Sequence, residues 1–81
     1  MSTTKHFNLR FPQRLVNEPI LYNISIKFGI VFNITRANVS EAQGFVTLSL
    51  TGDDAALTQG VQYMKDRGVM VEEIPSPVAA N

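Results

Sequence analysis

The chain changes hydrophobic period four times between His6 and Ile74, and each change falls at a proline, a glycine or a polar turn. From His6 to Phe11, apolar Phe7, Leu9 and Phe11 alternate with His6, Asn8 and Arg10, the period-2 pattern of a half-buried strand. Pro12 closes that run. In "NEPILYNISIKFG" the spacing becomes helical, with Ile20, Leu21, Ile24 and Phe28 on one stripe. Pro19 suits a first helical turn, where the missing N–H has no partner to lose, and Gly29 suits the left-handed position just past the end. Asn17 and Glu18 both stand where a cap is needed, and the spacing leaves both open.

"FGIVFNITRANVS" then returns to alternation. Ile30, Phe32 and Ile34 define one face of a second strand, and Val31, Asn33, Thr35 and Ala37 the other. "SEAQG" turns the chain, and "FVTLSLTG" forms a third strand with Val46, Leu48 and Leu50 on one face and Phe45, Thr47 and Ser49 opposite. Asp53 or Asp54 can cap a second helix whose buried stripe is Leu57, Val61 and Met64 and whose stop is Gly68. Gly60 inside that helix costs up to ~1 kcal/mol relative to alanine, which predicts close packing there. "VMVEEI" reads as a short fourth strand. The proline-bearing end "PSPVAAN" is expected to be disordered, giving one domain over residues 1–74 and a tail over 75–81.

The order β-α-β-β-α-β predicts an α+β fold. With both helices on one face, the economical solution is a ferredoxin-like split sandwich, a four-stranded antiparallel sheet in the order 4-1-3-2. Its other face is left without helices and is expected to carry His6, Asn8 and Arg10, then Val31, Asn33, Thr35 and Ala37, then Phe45, Thr47 and Ser49. A plain solvent face would be richer in charge. This mixture of apolar, hydroxyl and amide groups is the kind that meets a ligand or a partner.

Composition narrows the function classes. The 81 residues allow one small domain, and such domains often gain stability by oligomerising. No cysteine is present, which removes disulfides and thiolate metal or iron–sulfur sites. Seven basic and seven acidic side chains cancel, which argues against nucleic acid or an anionic membrane as partner. No apolar run approaches the ~20 residues of a membrane span, and the start "MSTTKHFNLR" lacks the apolar core of a signal peptide. A cytoplasmic protein is expected.

"FGIVFNITRANV", "GFVTLSLTG" and "YMKDRGVMVEEI" together resemble the NIL domain, over about Leu9 to Ile74. The most specific parts are Phe28-Gly29, the pair Asn33-Ile34, and Gly68-Val69-x-Val71. The NIL domain is the C-terminal regulatory module of methionine-importing ABC ATPases and also accompanies 4Fe–4S ferredoxin domains. The resemblance implies an ACT-like ferredoxin fold, pairing as a homodimer, and methionine binding near the dimer interface with Asn33 taking part. Two features depart from the transporter pattern. The motif's leucine is Thr35 here, which makes the wall of a pocket more polar. The turn "SEAQG" is shorter and closer to the ferredoxin-associated type. With neither an ATPase nor a ferredoxin part in this sequence, a free-standing module acting on a partner in trans is expected.

Asn33 has a physical rationale as a ligand group, because a side-chain amide offers both a donor and an acceptor to an amino acid's charged ends. The plainer alternative is an exposed strand asparagine. Val31, Thr35 and Phe45 are the remaining candidate ligand-binding residues. Three N-x-S/T sequences begin at Asn23, Asn33 and Asn38, but the first lies in a predicted helix and nothing indicates secretion, so coincidence explains them. The adjacent carboxylates Asp53-Asp54 and Glu72-Glu73 read as a helix cap and a solvated strand end rather than metal sites. His6, the only histidine, reads as a solvated group near a terminus. No nucleophile–base arrangement and no phosphate loop is evident, so no enzyme, cofactor or metal is expected. An RNA-recognition domain shares this topology and "QGFVTLSL" echoes one of its motifs. That function needs aromatics on the central strands, and only Phe45 is available. The second predicted strand is a long apolar sheet edge, a hazard unless paired or covered, and a second copy is the expected cover. Two functions remain: a dimeric sensor of methionine or a related amino acid, and a ligand-free protein-interaction module.

Overall fold

The computed structural model describes residues 2–16, 18–40 and 43–75. Its elements run β1 (Ser2–Pro12), a 3₁₀ turn (Gln13–Leu15), α1 (Ile20–Phe28), β2 (Val31–Val39), β3 (Gln43–Asp53), α2 (Asp54–Arg67) and β4 (Met70–Ile74). The strands form one sheet in the order β2-β3-β1-β4, every neighbouring pair antiparallel. This is the expected ferredoxin-like order. The expected tail beyond Pro75, the turn residues Glu41 and Ala42, and the possible cap Asn17 lie outside the described residues.

Periodicity places the core. Phe7, Leu9 and Phe11 of β1 and Val46, Leu48 and Leu50 of β3 turn one face to the helices and are buried. Ile20 and Ile24 of α1, with Leu57 and Met64 of α2, close on them from the other side. Each such side chain, once fully buried, contributes about 1.5–3 kcal/mol. The 3₁₀ turn was not anticipated, and it adds Leu15 to the core.

Both helices end at a left-handed glycine, Gly29 with φ 68° and Gly68 with φ 105°. Pro19 sits one position earlier than a first-turn proline, at the N-cap of α1. Asp53 holds the N-cap position of α2. The expected close approach at Gly60 is present: a Cβ there would stand 2.5 Å from Ile30 Cδ1. The helices also meet where the Phe28 and Tyr63 rings pack edge to face at 6.0 Å. Asn23 Nδ2 donates to the Tyr63 hydroxyl at 3.3 Å, so this asparagine belongs to the helix packing.

The second strand corrects one expectation. Ile34 pairs with Leu48, but the next pair is Arg36 with Thr47, which leaves Thr35 as the extra residue of a β-bulge. An extra residue exchanges the faces of everything beyond it. Ala37 therefore stands opposite Val46 on the helix-side face, and not on the open face with Asn33. Arg36 and Asn38 take its place, opposite Thr47 and Phe45. Burial fades into the same strand, from Ile30 just before it at 0% exposure to Ile34 at 44%. β2 lies at the sheet edge, and its helix-side residues beyond the bulge stay exposed.

Candidate functional site

The strand registers arrange the open face in rows running from β4 to β2. One row reads Met70, Arg10, Phe45 and Asn38; the next reads Glu72, Asn8, Thr47 and Arg36; a third reads Ile74, His6, Ser49 and Asn33. Thr51 and Val31 continue beyond them on β3 and β2. Asn33 and Val31 thus share the outer part of the face on the edge strand, and both are exposed.

Phe45 is not their neighbour. It lies four residues along β3 from Ser49, the partner of Asn33, a separation of roughly 13 Å at strand rise. Val31 stands opposite Thr51, six residues from Phe45, or roughly 20 Å along the strand. Within one chain these two side chains cannot wall the same pocket. Thr35 is the bulge residue, and its hydroxyl donates to the Thr47 carbonyl at 3.1 Å. That bond ties the irregular part of β2 to β3 and engages the hydroxyl's proton. Among the four candidates, then, Asn33 and Val31 share one outer patch, Thr35 lies beside it at the bulge, and Phe45 belongs elsewhere.

A polar network occupies the middle of the face. Thr47 Oγ1 donates to Asn8 Oδ1 at 2.7 Å, and Asn8 Nδ2 donates to Glu72 Oε1 at 3.3 Å. The carboxylate decides the amide's orientation, because a flipped Asn8 would set its oxygen against Glu72. Arg10 lies over the Phe45 ring with Cζ 5.8 Å from the centroid. Asn8, Glu72, Arg10 and Phe45 line a hollow of about 390 Å³ together with Met70, and Thr47 reaches it only through its bond to Asn8. Asn8, Arg10 and Phe45 were legible as members of the open face. The roles of Glu72 and Met70 were not, since they depend on how β4 pairs with β1.

His6 lies between Ile74 and Ser49 and is half-buried rather than solvated. Its Nδ1 is buried and has no hydrogen-bond partner among the described residues. No group of three or more His, Asp or Glu side chains among those residues is placed to hold a metal ion. None of the described helices is long and apolar enough to cross a membrane.

Comparison with known proteins adds a second line of observation. The family model described as "NIL domain" matches residues 5–73. The methionine import ATP-binding protein MetN of Cupriavidus pinatubonensis is 33% identical over 72 residues, covering 84% of this chain and 21% of that protein. MetN 1 of Listeria innocua is 30% identical over 78 residues, covering 91% of this chain and 23% of its own length. The chain therefore spans about a fifth of the length of these curated relatives. Among solved structures, the C-terminal domain of an ABC transporter ATP-binding protein from Enterococcus faecalis superposes with a TM-score of 0.76 at 18% identity. That match covers 89% of this chain and 84% of the other, and at this identity it speaks for the fold.

Proposed function

The chain belongs to the NIL domain family, and from that premise we propose that it is a non-enzymatic, cytoplasmic regulatory domain that senses methionine or a related amino acid as a homodimer. The observation that carries this reading is the placement of Asn33. It is exposed on the open face of β2, one of the two edge strands, whose outer backbone groups have no partner strand among the described residues. A second copy adding there would put Asn33 and Val31 beside an interface. An amide and adjacent backbone groups could then hold the charged ends of an amino acid. A ligand that binds only the paired state shifts the population toward it, and a partner protein in trans reads that shift.

The relatives' names supply the ligand class, since they are methionine import ATP-binding proteins. Two structural features favour the second reading, a protein-interaction module with no ligand. Thr35 spends its hydroxyl proton on the Thr47 carbonyl, and Phe45 stands far along the face from Asn33. Within one chain, Phe45 is thereby withheld from a ligand at Asn33 and Thr35 is left only as an acceptor.

Titration of the isotopically labelled chain with L-methionine, followed by NMR, separates the two. Saturable shifts around Asn33 that vanish in Asn33→Ala support the sensor. A flat response to every amino acid at millimolar concentration overturns it in favour of the docking module.

A further inference from the structure

We propose that the hollow between β4, β1 and β3 is a second small-molecule site, one that takes a zwitterionic amino acid by both of its charged ends. The proposal rests on the sensor reading for its ligand class and, of that reading's candidate residues, involves only Phe45. Arg10 faces Met70 across the β1–β4 pair, and Glu72 faces Asn8, so the two opposite charges are diagonal neighbours on one face. Diagonal positions in an antiparallel pair lie roughly 7–8 Å apart, within reach of a direct ion pair between such long side chains. Among the described residues that pair does not form.

Each charge is instead held by another group. Glu72 Oε1 accepts from Asn8, and Thr47 fixes Asn8 in turn. The second carboxylate oxygen of Glu72 is left to meet an ammonium. Arg10 Cζ lies 5.8 Å from the Phe45 ring centroid, a contact that stabilises the cation through the ring, and no side chain among the described residues takes up its N–H donors. Those donors match a carboxylate in the bidentate manner. Beside the charges, Phe45 on one side of Arg10 and the Met70 side chain on the other, itself 65% exposed, supply apolar wall. A volume of about 390 Å³ falls within the range of small-molecule pockets.

The chemistry selects its ligand. An anion alone would meet Glu72, and a cation alone would meet Arg10. A molecule carrying both charged groups on one carbon, with an apolar side chain to lie on Phe45 and Met70, satisfies the whole site.

The test compares L-methionine with N-acetyl-L-methionine and L-methionine amide, each titrated into the labelled chain. The first analogue lacks the ammonium and the second lacks the carboxylate. Saturable shifts at Asn8, Arg10 and Glu72 that persist in Asn33→Ala, with about tenfold or greater weakening for each analogue, support the site. Glu72→Gln should weaken methionine and spare the N-acetyl analogue, and Arg10→Gln should weaken methionine and spare the amide. Shifts confined to Asn33 and lost in Asn33→Ala overturn this site and leave the sensor reading standing. Equal affinity for all three ligands overturns zwitterion recognition here. Silence throughout the spectrum overturns both readings.

Discussion

Gly60 of α2 presses on Ile30 at the entry to β2 so closely that any Cβ at position 60 would fall 2.5 Å from Ile30 Cδ1. Gly60 and Ile30 are both buried, and Ile30 has no exposure at all. Helix α2 carries a residue of poor helical propensity at this point because the first residue after Gly29 fills the space.

Gly60→Ala therefore sets two effects against each other. Alanine gains about 1 kcal/mol of helix propensity, and overpacking a filled core costs about 1–3 kcal/mol. Net destabilisation is expected in urea denaturation. Ile30→Val removes the offending Cδ1 and alone costs about 0.5–1.5 kcal/mol. The double variant should be more stable than the sum of the single effects predicts. Additive losses would mean that Ile30 is not what excludes a side chain at Gly60.

The two helix-ending glycines should differ in their tolerance of alanine. Gly29 has open space around its missing Cβ, so Gly29→Ala pays only the left-handed backbone cost of about 1–2 kcal/mol. At Gly68 a Cβ would also collide with Arg14 Nη2, the atom that donates to the Arg67 carbonyl at 3.2 Å. Gly68→Ala should lose about 1 kcal/mol more for the broken bond. In an Arg14→Ala background the excess should disappear from thermal melts; an excess that survives there rules out Arg14 as its cause.

The bulge at Thr35 can be weakened without changing strand propensity. Thr35→Val keeps the branched shape and removes the hydroxyl bond to the Thr47 carbonyl. A loss of about 0.5–1 kcal/mol is expected, which lowers Tm by about 2–8 °C in a domain of this size. An unchanged Tm would show that the exposed hydroxyl does not contribute to holding β2 in register.

Pairing through β2 has its own measurement. Light scattering at tens of micromolar should give twice the 9.0 kDa chain mass. Val31 is 67% exposed on that strand, and Val31→Lys should move the mass toward the monomer by bringing like charges together. A native chain that scatters as a monomer ends the dimer proposal. A lysine variant that stays dimeric moves the interface away from Val31.

Much of the fold was legible because it depends on local rules. The switch between alternation and helical spacing marked each strand and helix, and the buried sets Phe7, Leu9 and Phe11 and Val46, Leu48 and Leu50 follow from period 2 alone. Gly29 and Gly68 were identifiable as helix ends because few other residues take their backbone conformation. Gly60 announced a close approach, although not the atom it approaches. The 3₁₀ turn carrying Leu15 escaped notice, since three residues offer no period to read.

The candidate site was less legible, for a reason that applies to sheets in general. Alternation assigns a residue to a face, but only strand pairing says which residues on that face are neighbours. Asn33, Val31, Thr35 and Phe45 looked alike as members of one face, and the β2–β3 register separates Phe45 from Asn33 and Val31. Ala37 changed sides because the bulge at Thr35 belongs to the pairing with β3 and leaves no mark in the period of β2 itself. Glu72 looked like a solvated strand end until the β1–β4 register set it against Asn8. The sequence by itself determined the elements, their order and their buried faces, since those depend on residues a few positions apart. Only the tertiary structure decided which polar groups meet, because that depends on pairings between residues as far apart in the chain as Asn8 and Glu72.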